Sequence, residues 1–173
     1  MTWPPPPRWE EQVSLAKTGR VLGIDLGIKR TGLAVSDELR LSVRALPNLV
    51  PKSRAEDIAA LVLLVVELGV VDIAIGLPLM PQSGDDNQMS RRVRGFSQAL
   101  QEALLAKDLA CEVHFVDERY SSREATARLV DSGVPLHKRR HMIDSEAARG
   151  FVFAWIQKEP EQASDFAAQA PKR

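Results

Sequence analysis

The segment from Arg20 to Asp37 most constrains how this chain can fold. Two short apolar runs, which begin at Val21 and Leu33, flank a turn between Gly27 and Gly32. This pattern predicts a β-hairpin with glycine at the loop positions. Asp25 lies within the first apolar run, where an ionised carboxylate costs several kcal/mol unless a cation accompanies it. A basic side chain or a metal ion could supply that charge; a turn-capping aspartate is the alternative interpretation.

Length and composition limit the remaining possibilities. The chain has 173 residues and no net charge, which fits one domain with a single core and makes any basic surface a local patch. Cys111 is the only cysteine, so no disulfide or thiolate zinc site can form within one chain. The longest apolar run, Ile58 to Val66, is too short to cross a membrane, and no secretory signal is visible. We therefore expect a cytoplasmic protein without a membrane partner.

The chain divides into a central domain and two tails. Four consecutive prolines near the start disfavour helix and central strand, so residues 1–18 are expected to form a flexible tail. Residues 19–158 are expected to form the domain, and residues 159–173 a second flexible tail.

Strand and helix patterns alternate after the hairpin. A third strand is expected within Leu39–Val50, and the capping box Ser53–Glu56 opens a helix that ends near Gly69. The nearly continuous apolar run from Val70 to Leu77 is typical of a strand buried on both faces. The remaining expectations are a helix at 88–106, a strand at 111–116, a short helix at 121–131, a basic loop at 133–141 and a last helix that starts at Asp144. This order predicts an α/β fold with a mixed five-stranded sheet flanked by helices.

Acidic residues stand at the ends of these elements rather than on exposed faces. They are Asp25, the pair Asp117 and Glu118, and Asp144. Functional crevices in open α/β sheets lie beyond the carboxyl ends of the strands. Converging carboxylates repel one another without a cation, and they suit Mg²⁺ or Mn²⁺, two of which together can promote phosphodiester hydrolysis. Two structural alternatives remain: Asp144 as a helix N-cap, and Asp117–Glu118 as a strand-end turn paired with Arg119.

Basic residues fall in the same segments as these acids. The candidates for nucleic-acid binding are Lys29, Arg30, Arg119, Arg123, Lys138, Arg139 and Arg140. An acidic centre with a basic rim suits a phosphate backbone held over metal ions. A basic loop alone is more often simply solvated.

Four motifs, in order, resemble the YqgF/RuvX family. They are residues 23–37 (GIDLGIKRTGLAVSD), 76–79 (GLPL), 117–122 (DERYSS) and 143–148 (IDSEAA). Members of that family have an RNase H-like fold and are described as Holliday junction resolvases and as pre-16S rRNA nucleases. The resemblance implies strand order 3-2-1-4-5, acidic roles for Asp25, Asp117–Glu118 and Asp144, and a nucleic-acid rim at Lys29 and Arg30.

That strand order bears on which acid of the pair holds metal. The strand that carries Asp117 would lie at the edge of the sheet, separated from Asp25 by the strand 70–77. A longer side chain would span this gap better, which favours Glu118 as metal ligand with Asp25 and Asp144, although both acids stay candidates.

The function expected from residues and resemblance together is a metal-dependent endonuclease, a hydrolase acting on phosphodiester bonds. Processing of the 5′ end of pre-16S rRNA during ribosome biogenesis is the first expectation, and resolution of branched DNA, for which a symmetric homodimer would be favoured, is the alternative. A nucleic-acid-binding module with little catalysis is a further alternative. An actin-like or sugar-kinase-like nucleotide binder is disfavoured, because those proteins need two such domains.

Overall fold

A computed structural model describes residues 18–78, 87–117 and 136–158, except for the side chains of residues 136–143 and 157–158. The strands are β1 (Arg20–Leu26), β2 (Thr31–Ser36), β3 (Val43–Leu49), β4 (Val70–Leu77) and β5 (Glu112–Asp117). The helices of the described residues are α1 (Arg54–Leu68), α2 (Gln88–Leu105) and α3 (Leu136–Lys158). Among these helices, none combines the length and apolarity needed to cross a bilayer. The predicted tails and the predicted helix at 121–131 lie outside the described residues.

The five strands form one mixed sheet in the order β3-β2-β1-β4-β5. Strands β1, β2 and β3 pair antiparallel, whereas β4 is parallel to β1 and β5 is parallel to β4. The predicted RNase H-like sheet and its order are therefore confirmed. The carboxyl ends of β1, β4 and β5 meet at one end of the sheet, which is where α/β folds bind ligands.

Each face of the sheet carries its own apolar core. Leu22 and Ile24 of β1 pack with α1 and α2 on one face, whereas Val21 packs with α3 on the other. Side chains alternate between faces along a strand, so Gly23 and Asp25 share the α3 face with Val21. Strand β4 is buried along nearly its whole length, as its apolar run predicts. The sheet thus presents Asp25 toward the helix that carries Asp144.

The helix ends follow the predicted capping signals. The Ser53 hydroxyl accepts a hydrogen bond from the Glu56 amide at 3.2 Å, and Gly69 ends α1 in the left-handed conformation with φ of 63°. At the start of α2, Asn87 and Ser90 form a reciprocal capping box. Helices α1 and α2 are thereby fixed with their N-termini at the same end of the sheet as the carboxyl end of β1.

Two predicted boundaries are wrong. Strand β3 begins at Val43 rather than Leu39, because Arg40 takes a left-handed conformation with φ of 59° and turns the chain between β2 and β3. The last helix begins at Leu136 rather than Asp144, so much of the predicted basic loop is helical. Leu, Lys, Arg and Met are all good helix formers, and this propensity extends the helix through the basic stretch.

Candidate active site at the carboxyl end of the sheet

Asp25 occupies the penultimate position of β1. It is half-buried and lies opposite Gly32 of β2 in the antiparallel register. Opposed Cα atoms in such a pair are about 4.5–5.5 Å apart, so whatever contacts Gly32 on this face adjoins Asp25. Gly32 therefore determines which group can approach the Asp25 carboxylate.

The residue that contacts Gly32 is Asp144. A Cβ atom on Gly32 would overlap the Asp144 carbonyl group and lie 2.8 Å from the Asp144 Cβ. This close approach is open only to glycine. The structure thus brings together Asp25 and Asp144, two acids separated by more than a hundred residues in the sequence.

A second glycine sets the same helix against β1. A Cβ on Gly23 would overlap the Ala148 carbonyl and lie 2.6 Å from Val152 Cγ2. Asp144, Ala148 and Val152 follow one another at intervals of four residues, so they form one stripe along α3 that faces the sheet. The N-cap alternative for Asp144 is wrong, because this residue lies in the third turn of α3. Its place on the inward stripe is what directs it toward Asp25.

Burial and charge act in opposite directions on Asp144. Burial raises the pKa of the Asp144 carboxyl above its ordinary value, and the nearby Arg30 guanidinium lowers it. Arg30 belongs to the turn between β1 and β2, and its effect on this pKa places it near Asp144. Its neighbour Lys29 is exposed.

Strand β3 anchors the active-site end of α3. The buried Ser145 hydroxyl donates to the Leu46 carbonyl at 3.0 Å and also contacts the Asn48 side-chain amide. A cleft of about 370 Å³ lies between these elements, and Arg30, Asn48 and Ser145 are among its lining residues. The cleft therefore adjoins Ser145, the residue that follows Asp144, and the Arg30 cation lies at its wall.

Asp117 is the last residue of β5, at the same end of the sheet. Strand β4 separates it from β1, which corresponds to about 10 Å between the outer strands. Phe115 packs on the α1 and α2 side and Val116 on the α3 side, so alternation assigns Asp117 to the face away from Asp25. Asp117 thus lies on the predicted edge strand, and it is on the face of the sheet opposite to Asp25.

The side chains of the other predicted site residues lie outside the described part of the chain. Glu118, Arg119 and Arg123 lie outside the described residues. The backbone of Lys138, Arg139 and Arg140 forms part of α3, which corrects their predicted place in a loop, and their side chains are not described.

Sequence reasoning missed a second polar group at the opposite end of the sheet. Asp72 of β4 is fully buried, and its carboxylate accepts from Arg40 at 2.5 Å and contacts His114 Nε2 at 3.0 Å. Asp72, Glu112 and His114 offer ligand atoms within 4.8 Å of one another, so this group could also hold a cation. The Arg40 guanidinium already provides a positive charge to Asp72 there. An aspartate within the apolar run 70–77 was the signal that could have revealed the group.

Comparisons with known proteins identify the family of this chain. The profile of the RuvX family, described as Holliday junction resolvase, matches residues 19–158. A protein of Anaeromyxobacter dehalogenans named "Putative pre-16S rRNA nuclease" is 37% identical over 139 residues, which span 80% of this chain and 97% of that protein. A protein of the same name from Koribacter versatilis is 35% identical over 140 residues, spanning 81% and 88% of the two chains.

The fold likeness extends to more distant proteins. The fowlpox virus resolvase, solved in complex with Holliday junction DNA, matches with a TM-score of 0.52 over 80% of this chain and 97% of that one. Its sequence identity is only 8%, so the likeness concerns the fold alone. The family profile, in contrast, covers every described strand and helix together with Asp25 and Asp144. This chain belongs to the RuvX family.

Proposed function

We propose that this protein is a metal-dependent endonuclease that hydrolyses phosphodiester bonds. The observation that carries the proposal is the meeting of Asp25 and Asp144 over Gly32 at the carboxyl end of the sheet. Two ionised carboxylates that converge at one site would repel each other, and burial disfavours the ionised form of Asp144. Such a pair is stable in its ionised form when a cation lies between the two groups.

The donor set fits a hard divalent cation. Asp25 and Asp144 supply carboxylate oxygens, which Mg²⁺ and Mn²⁺ prefer. Gly76 of β4 follows Ile75, the register partner of Ile24, so β4 places no side chain between Asp25 and the edge strand at this position. One or two such ions would supply Lewis-acid stabilisation of the charge that develops on phosphate oxygens during hydrolysis.

Glu118 is our candidate for the third acid. The resemblance to the family points to the Asp117–Glu118 pair, and strand alternation assigns Asp117 to the opposite face from Asp25. Within the pair, Glu118 also has the longer side chain to span the width of β4. Asp117 would then act in turn structure rather than in metal binding.

The basic residues would position the substrate strand. Arg30 is close enough to Asp144 to lower its pKa, and it lines the cleft beside the acidic centre. A guanidinium there can hold a phosphate oxygen while leaving the carboxylates to the metal. Lys29 is exposed at the tip of the same turn and would contribute a longer-range attraction.

The names of the relatives support pre-16S rRNA as the substrate of this chain, and cleavage at its 5′ end is part of our proposal. The description of the family favours a second candidate, branched DNA, for which a symmetric dimer would match the two-fold junction. Both reactions use the same acidic centre and differ only in how the strand is presented.

Cleavage assays test this proposal and separate its two substrates. Labelled precursor 16S rRNA and a four-way DNA junction are incubated with the protein in Mg²⁺, Mn²⁺ or EDTA, alongside Asp25→Asn. Glu67→Gln, which removes an exposed carboxylate from the solvent side of α1, serves as the matched control. We expect metal-dependent cutting of the rRNA, lost in Asp25→Asn and retained in Glu67→Gln. Full activity of Asp25→Asn, or of the wild type in EDTA, would refute the metal-site assignment.

A further inference from the structure

A basic cleft lies at the same end of the sheet as the acidic centre but on the opposite face, which α1 and α2 cover. We propose that this cleft, between the N-terminal ends of α1 and α2, binds the phosphate backbone of the substrate strand next to the cleaved bond. It has a volume of about 270 Å³ and includes Lys52, Arg54, Arg91 and Arg92 in its lining. This inference rests on the proposed nuclease function and adds a second contact with the strand.

Charge is the first reason for this assignment. The four basic residues of the cleft are exposed, and Asp57 is the only acid among the described residues that line it. Asp57 accepts a hydrogen bond from the Lys52 backbone amide at 3.0 Å, so its carboxylate stabilises the backbone that leads into α1. The chain as a whole has no net charge, so this local concentration of cations in one concave site favours the binding of a polyanion.

The cleft is also held in shape by contacts within the protein. The Arg54 guanidinium donates to the Gly95 carbonyl and so joins the start of α1 to α2. Arg91 and Arg92 lie in the first turns of α2, whose end is fixed by the capping box of Asn87 and Ser90. Within the described part of the chain, neither Arg91 nor Arg92 forms an ion pair, so both guanidinium groups are available to phosphate oxygens.

Position relative to the acidic centre is the third reason. Leu26 and Thr31 line the cleft, and they directly follow Asp25 in β1 and precede Gly32 in β2. A strand that passes over this end of the sheet would therefore meet the carboxylates and the cleft in succession. Because Leu26 and Thr31 each adjoin a residue of the acidic centre, we expect the cleft to contact the strand about one to three nucleotides from the cleaved phosphate, at about 3.4 Å per nucleotide.

The test measures binding rather than cleavage, so the inference and the proposed function can fail separately. The affinity of the double variant Arg91→Ala/Arg92→Ala is measured for a single-stranded RNA, the same sequence as DNA, and a four-way DNA junction over a salt series, with Ca²⁺ in place of Mg²⁺. The matched control is Arg44→Ala/Lys107→Ala, which removes two exposed cations at the far end of the sheet. Parallel cleavage by the wild type reports on the proposed function.

We expect the cleft variant to bind roughly three- to thirty-fold more weakly than the wild type. The slope of the logarithm of the binding constant against the logarithm of the salt concentration should become shallower by about 1.4 on the single strand, because two phosphate contacts are removed. The control is expected to keep the wild-type slope, and the probe with the larger loss identifies RNA or DNA as the ligand. Equal slopes and affinities of the two double variants would overturn the inference. An absence of wild-type binding to all three probes would overturn the inference together with the proposed function.

A second measurement tests which phosphates of the substrate strand contact the cleft. Single phosphates near the cleaved bond are replaced by uncharged methylphosphonates, one position at a time. At one position within about three nucleotides, the replacement should weaken wild-type binding but leave the Arg91→Ala/Arg92→Ala variant unaffected. If no replaced position shows this coupling, the assignment of the cleft to the flanking backbone is wrong.

Discussion

Replacing Gly32 by alanine tests whether the packing of α3 on the hairpin positions the acidic centre. The new methyl group would overlap the Asp144 carbonyl, and the Asp144 Cβ, 2.8 Å away, would have to retreat to at least the ordinary 3.4 Å. Helix backbone cannot rotate aside, so α3 itself must move. Overpacking of this kind costs about 1–3 kcal/mol, which in a domain of this size lowers Tm by about 4–12 °C.

The same movement displaces Asp144 from Asp25. Misplacement of a catalytic group by about 1 Å can lower the rate about 100-fold, so Gly32→Ala should lose cleavage activity even where it remains folded. Gly69→Ala is the matched control, because its φ of 63° makes alanine unfavourable by about 1–2 kcal/mol while no atom lies within 4 Å. Both variants should melt earlier, measured by circular dichroism, and only Gly32→Ala should lose activity per folded molecule. Wild-type activity and Tm in Gly32→Ala would refute the packing argument.

Three further variants test contacts that support the site and the fold. Ser145→Ala removes the hydrogen bond to the Leu46 carbonyl and should cost about 1 kcal/mol in urea unfolding, with a larger fall in cleavage rate than in substrate affinity; an unchanged rate would separate this anchor from the active site. Arg40→Met leaves the buried Asp72 carboxylate without its guanidinium and should lower the free energy of unfolding by about 3–5 kcal/mol; a loss under 1 kcal/mol would show that the ion pair is dispensable. Hydrogen bonds from Ser42 and the Leu41 amide hold the pKa of Asp37 below its ordinary value, so its stabilisation is present above the unfolded pKa and is lost as pH falls through the folded pKa. Asp37→Ala should therefore melt earlier than the wild type at pH 7, with a gap that closes in acid; a gap independent of pH would contradict this role.

One residue of the proposed acidic centre stands out in the sequence because it breaks a local pattern. Asp25 interrupts an apolar strand, and the glycines around it indicate close approach of another group. The place of Asp144 within its helix was not predictable, since aspartate is a good N-cap and the preceding basic stretch reads equally well as a loop. Contacts that are distant in sequence, with Gly23, Gly32 and Leu46, fix how the helix lies on the sheet.

Contacts between residues that are distant in sequence explain why the sequence did not predict the turn at Arg40 or the basic cleft. Arg40 leaves the predicted strand because its side chain reaches Asp72, 32 residues further on, and the backbone adopts a left-handed turn beside it. The cleft between α1 and α2 also depends on tertiary packing: Arg54 and Gly95 are 41 residues apart, and nothing in either segment alone predicts that they meet. Local patterns predicted the elements and their order, but not these pairings.

Direct measurement of Mn²⁺ binding tests the central claim, that Asp25 and Asp144 hold the cation. Free Mn²⁺ is followed by electron paramagnetic resonance in titrations of the wild type, Asp25→Asn, Asp144→Asn and Glu112→Gln. Glu112 belongs to the second acidic group and has a 70% exposed side chain, so its replacement leaves the fold intact. We expect binding by the wild type and Glu112→Gln, and its loss in Asp25→Asn and Asp144→Asn. Binding that survives in Asp25→Asn and disappears in Glu112→Gln would move the metal to the other end of the sheet and contradict the account.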